Sequence, residues 1–208
     1  MVKIKEMPYQ KKYETVLSYI KLEEVGSAFI EKKLGSQTAA EFQKECQKGI
    51  KSISENASDE EKYKTAMSNW IWMGGTKFKL IRSRLGEDGI NQFIRAEVEA
   101  WGKNTPRAAL LLLRLMRAIS PGMAFAMSAK QTAYLLQFAG PVSVTGLSRD
   151  RMVMDVTHCL ALDFPGGEEC CILGCQRATP LLMLEQFRIE MKINRQGNGC
   201  SITLTPSK

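Results

Sequence analysis

The sequence predicts an α+β fold, with N-terminal helices followed by a small C-terminal antiparallel β-sheet. Three observations predict it. Apolar residues recur near the 3.6-residue helical period through most of residues 1–139. The period switches to two after Gly140-Pro141. Two alternating runs near residues 186–205 are joined by Gln196-Gly-Asn-Gly199, a strong hairpin signal. Helices first and strands afterwards is the order of an α+β chain.

The first predicted helix runs from Pro8 to Leu34, on a stripe that includes Tyr13, Val16, Ile20, Phe29 and Ile30, and Gly35 is its expected stop. Thr38-Ala-Ala-Glu41 and Ser58-Asp-Glu-Glu61 both read as capping boxes, opening helices through about Ile53 and Leu85. Gly74-Gly75 interrupts the stripe of the longer one. Two glycines cost about 2 kcal/mol against alanine inside a helix, so a kink or a close crossing is expected there. Gly86-Glu-Asp-Gly89 reads as a turn and Ile90 to Trp101 as a further short helix.

Thr105-Pro106 and Ser120-Pro121 each place a capping residue before a proline and read as helix starts. The Pro106 helix is apolar around much of its circumference and is expected to be the central buried helix. The Pro121 helix, through about Phe138, carries Met123, Phe125 and Met127, which suit a core or a hydrophobic ligand surface. Beyond Gly140, strands are expected at Val142–Thr145 and Met152–Thr157. A loop follows at Phe164–Gly167, then a short helical segment at Glu168–Gly174, then the hairpin strands Gln186–Asn194 and Cys200–Thr205. The expectation is a single domain over 1–208, helical in 1–139 and cysteine-rich β in 140–208.

Hydrophobic residues make up 44% and charged residues 25% of the 208, which is ordinary for a globular protein. No run of about 18 uncharged apolar residues occurs, so no membrane span is expected. Met1-Val-Lys-Ile-Lys-Glu lacks a signal-peptide core, and a cytoplasmic, reducing compartment is the expectation. The net charge is +7, but the basic residues interleave with acids along the N-terminal helix, a solvated face rather than a phosphate-tracking stripe. Nucleic acid is therefore not an expected partner. Arg107, Arg114 and Arg117, spaced by seven and three, share a helical face, either a solvent side or the rim of a pocket for an acidic ligand.

Five of the six cysteines, Cys159, Cys170, Cys171, Cys175 and Cys200, lie in the last quarter of the chain around its only histidine, His158. Thiolate and imidazole suit nucleophilic attack and soft-metal binding near neutral pH. Cys175 or Cys159 is the candidate nucleophile and His158 the candidate acid or base. Neighbours on a strand point to opposite faces, so His158 cannot activate Cys159 unless the strand breaks there; Cys171 or Cys175 across the loop is the alternative. Asp155 or Asp163 could orient the imidazole. The competing readings are small buried hydrophobes and a zinc or iron–sulfur site, although no Cys-x-x-Cys pair occurs. Arg177 and Arg188 are candidates to hold a substrate carboxylate, against surface ion pairing. Dinucleotide and phosphate-loop glycine motifs and a Gly-x-Ser-x-Gly elbow are absent, so no cofactor is expected.

Val156-Thr-His-Cys159, Gly167-Glu-Glu, Cys175, Phe187-Arg188-Ile189 and Gly197-Asn-Gly-Cys200-Ser-Ile together resemble the L-2-amino-thiazoline-4-carboxylic acid hydrolase family over about 50 of the 208 residues. The resemblance implies helices with a C-terminal antiparallel sheet and hydrolytic opening of a cyclic thioimidate. The family's cysteines fall on Cys159, Cys175 and Cys200. The chain departs from the pattern at Leu160, usually proline, and at Ala178, usually aspartate. The layout is also similar to 4-vinyl reductase ligand-binding domains. Two functions are thus expected: a hydrolase-like enzyme on a small cyclic C–N or C–S (thiazoline-type) substrate through a Cys/His site, or a non-catalytic small-molecule-binding or accessory module with a cysteine-lined pocket. A small-molecule ligand is the expected partner, with a homodimer left open.

Overall fold

The computed structural model describes residues 3–207, and for Arg107 the backbone alone. The fold is α+β: long helices come first, and a four-stranded antiparallel sheet closes the chain. Two compact units share the sequence. Met1–Met7, Trp101–Leu160 and Thr179–Lys208 form the first; Pro8–Ala100 and Ala161–Ala178 form the second.

The second unit is helical. Helix α1 (Tyr9–Leu34) ends at Gly35, whose φ of 87° lets the chain turn within one residue, and α2 (Ser36–Gly49) restarts at once. The expected capping box at Thr38 is therefore not used. Its hydroxyl donates to the Leu34 carbonyl at 3.0 Å, already past the start of α2. The box at Ser58 does form and opens α3 (Asp59–Asn104): the Ser58 amide donates to Glu61 at 2.9 Å and the Glu61 amide to the Ser58 hydroxyl at 3.3 Å. Helix α3 passes into the first unit at Trp101. It breaks only at Gly86 (φ 65°), so the expected four-residue turn shrinks to one residue. Gly74-Gly75 stays helical and serves close approach instead. A Cβ on Gly75 would stand 2.5 Å from the Gly166 Cα, and one on Gly74 2.9 Å from the Cys170 Sγ. The core here is built on Val16, Ile30, Met67, Ile71, Ile81, Phe93 and Leu173. The Phe29 and Phe93 rings meet edge to face at 5.3 Å.

The first unit holds α4 (Arg107–Ile119), α5 (Pro121–Leu136), α7 (Thr179–Phe187) and the sheet. Strands β1 (Val142–Leu147), β2 (Met152–Val156), β3 (Ile189–Gln196) and β4 (Gly199–Pro206) order as β1-β2-β4-β3, all antiparallel. Alternation holds where the sequence shows it. Met152, Met154, Ile202, Leu204, Ile189 and Met191 are buried, and α5 covers this face with Ala124, Phe125, Ala129 and Ala133.

Helix α4 corrects the sequence reading. None of its described side chains is buried, and Leu111, Leu112, Leu115 and Ile119 are all exposed. Leucine excess suggested a helix apolar all round, but the leucines concentrate on one arc that faces solvent. Met123 and Met127 are likewise exposed, while Phe125 is core. The segment 160–187 also differs from expectation. A short 3-10 turn, Leu160–Asp163, leads into α6 (Gly167–Glu169), a π-helical stretch (Cys170–Ala178) and then α7. The strand expected from Gln186 begins at Ile189, because Gln186 and Phe187 finish α7 and Arg188 turns the chain at φ 50°. Among the described residues, no helix is long and apolar enough to cross a membrane.

Candidate functional site

The predicted thiol and imidazole groups distribute over both units. His158 and Cys159 follow β2 in the first. There the Cys159 amide donates to the Asn198 carbonyl at 2.6 Å and the Leu160 amide to the Ala139 carbonyl at 2.8 Å. Gly140 and Gly199 press on this stretch: a Cβ on Gly140 would collide with the His158 carbonyl, and one on Gly199 with that of Val156. The strand does break here, as activation of Cys159 by His158 requires. Cys200 lies opposite Val156 across the β2–β4 pair. Cys159 is buried, whereas His158 and Cys200 are half-buried.

Cys170, Cys171 and Cys175 belong to the second unit, on the π-helical stretch. The Cys170 thiol donates to the Ile71 carbonyl at 3.7 Å, and burial, with opposing contributions from Lys77 and Glu23, pushes its pKa up to about 12. Gln176 donates to the Cys171 sulfur at 3.6 Å. None of the six cysteines is in a disulfide. Among the described residues, no three His, Cys, Asp or Glu side chains converge as a metal would require. Arg177 braces the surface of the same unit, donating to Glu87 at 2.9 Å and to Asn91 at 2.7 Å.

Sequence reasoning missed a buried charge cluster in the second unit. Lys77, 1% exposed, pairs with Glu23 at 2.7 Å and with Glu97 at 3.4 Å. Its ammonium also lies 4.9 Å from the Phe78 ring centroid and 4.7 Å from that of Phe93. Burial alone would neutralise this amine; the carboxylates of Glu23 and then Glu97 outweigh it and hold the lysine charged. The neighbouring Cys46 thiol is pushed up to about 12 by burial and by Glu23, against Lys77. The signal was present: Lys77 sits three residues after Gly74 and four before Ile81, on the apolar stripe of α3, and Glu23 lies midway between Val16 and Ile30 on that of α1.

The first unit contains an open cavity of about 90 Å³ bounded by Arg117, Phe125, Ser128, Phe187, Arg188 and Pro206. Arg117 reaches in from α4 and is fixed by a 3.0 Å hydrogen bond to the Phe187 carbonyl. Arg188 enters from the α7–β3 turn in a left-handed conformation that costs a non-glycine residue about 1–2 kcal/mol. Its backbone is tied at both polar atoms, the amide to Leu184 at 3.1 Å and the carbonyl to the Ser207 amide at 2.9 Å. Partial burial, then the charges of Arg188 and Arg114, lower the Arg117 pKa. Among the described residues, no acidic side chain lines the cavity. Cations held together without an anion favour an anionic guest. Of the three arginines grouped on one helical face in the sequence, Arg117 lines this cavity and Arg114 is exposed; the Arg107 side chain lies outside the described residues.

The strand register separates this cavity from Cys159. Ile189 and Pro206 pair at the cavity end of the β3–β4 hairpin, and Gln196 and Gly199 pair at the end that holds Cys159. Seven residues of strand between them span about 23 Å. Arg188 and the His158–Cys159 step therefore do not flank one small molecule. No family model, curated protein or solved structure matches the chain.

Proposed function

We propose that the chain is a small-molecule-binding module that takes a compact anion, a carboxylate foremost, between the Arg117 and Arg188 guanidiniums. The observation that carries this reading is the pair of arginines lining an acid-free cavity, one of them on strained backbone. Guanidinium pairs with carboxylate through two parallel hydrogen bonds, and the neighbouring Phe125 and Phe187 offer an apolar wall to whatever carries it. The volume suits the anionic end of a ligand rather than a drug-sized molecule.

The hydrolase reading needs Cys175 or Cys159, with His158 as acid or base, to act on a thiazoline-type ring. The length of the hairpin argues against Arg188 serving that reaction, so binding without turnover is the better-supported function. Calorimetric titration with 2-amino-thiazoline-4-carboxylate, simple carboxylates and phosphate tests it. Saturable binding abolished by Arg117→Ala, without release of a ring-opened product, is the expected result. Turnover that survives Arg117→Ala and fails in Cys159→Ala would replace it with the enzyme. Metal analysis of the purified protein beside the titration tests the zinc or iron–sulfur alternative.

A further inference from the structure

We infer that the exposed face of α4 and α5 is a docking surface for an anionic lipid bilayer. Leu111, Leu112, Leu115, Ile119, Met123 and Met127 are all more than half exposed, Ile119 at 84%. At 3.6 residues per turn, the four on α4 fall within about 100° of arc, and Met123 and Met127 continue on one face of α5 a turn apart. Six large apolar side chains in solvent on adjacent helices form a patch that a folded domain does not leave without a purpose.

Charge identifies the occupant. Residues 100–149 contain six basic residues and no aspartate or glutamate. Arg114 and Lys130 are exposed on the two helices, and Arg114 lies about 60° around α4 from Leu111, beside the apolar arc rather than within it. A helix with a leucine face rimmed by arginine lies flat in the headgroup region, apolar side down, with its cations among the phosphates. A second copy packed isologously would bring the basic residues of both copies together, and neither α4 nor α5 carries an acid to offset them. A uniformly anionic surface meets both the leucines and the cations. This docking is peripheral and independent of the anion-binding cavity, since Arg117 lies on the far side of α4 from the leucine arc.

Vesicle co-sedimentation of the full chain tests it, with phosphatidylcholine alone and with phosphatidylcholine mixed with phosphatidylglycerol. Binding to the mixed vesicles only, weakened by salt, is expected. Leu112→Ser combined with Leu115→Ser should release the protein, and Arg114→Gln should weaken it about fivefold. Both sites are exposed, and an unchanged thermal midpoint and far-UV spectrum verify folding. Equal binding to both vesicle types, or none at low salt, overturns the inference. So does a dimer in analytical ultracentrifugation that the double substitution dissolves while vesicles capture nothing, because the face then belongs to a second copy.

Discussion

A Cβ on Gly26 would stand 2.5 Å from the Cδ of Lys77. The missing side chain in α1 is the slot that the buried lysine's stem occupies on its way to Glu23. Gly26→Ala should destabilise the protein by about 1–3 kcal/mol, although alanine is the better helix former by about 1 kcal/mol. Urea denaturation measures it; a stabilised variant would show that the lysine has another route.

Removing the lysine's charge should cost more. Lys77→Met leaves Glu23 buried without its cation, for which about 3–5 kcal/mol is expected. Adding Glu23→Leu should recover much of that loss, since a buried ion pair is often replaceable by apolar residues of similar volume. A double-mutant cycle reads this coupling directly.

Arg188→Gly should separate binding from stability. Glycine adopts φ 50° without penalty, so the thermal midpoint should hold or rise, by up to about 1 kcal/mol in stability. Anion affinity should fall at the same time. A variant that loses both would mean that the arginine side chain holds the α7–β3 turn together.

Cys46 and Cys170 should be the last thiols to alkylate near pH 8, because each is buried and has its pKa pushed up to about 12. Half-buried Cys175 and Cys200 should react earlier, an order that peptide mass mapping can follow with time. The same shift has a stability consequence. The folded pKa lies above the unfolded value, so the contribution is complete below about pH 8.5 and is lost as pH rises towards 12. Thermal midpoints should fall across that alkaline window, and less steeply in Cys170→Ala.

Much of the fold was legible because period and punctuation agree. Gly35, the Ser58 box and the Gly197 turn each set a boundary through local chemistry alone. Helix α4 was not legible, since a leucine-rich sequence does not say whether its apolar arc meets core or solvent. The π-helical stretch was hidden for a different reason: its hydrogen-bond spacing has no period that the apolar residues of Cys170–Ala178 reveal. At the site, Arg188 was identifiable as a candidate, but its partner Arg117 lies 71 positions away in the sequence, and only packing brings them to one cavity. The cysteines drew attention by crowding in the sequence, which did not translate into one site within one unit.

The strand order β1-β2-β4-β3 places the last-made strand in the interior of the sheet. On the ribosome, β1 and β2 can pair as soon as they emerge, but the free edge of β2 stays open until β4 has been synthesised. Strand β3 also has no partner before that moment. The sheet therefore closes in a single late event, and until then the nascent chain carries an unpaired apolar edge, the period in which aggregation competes with folding.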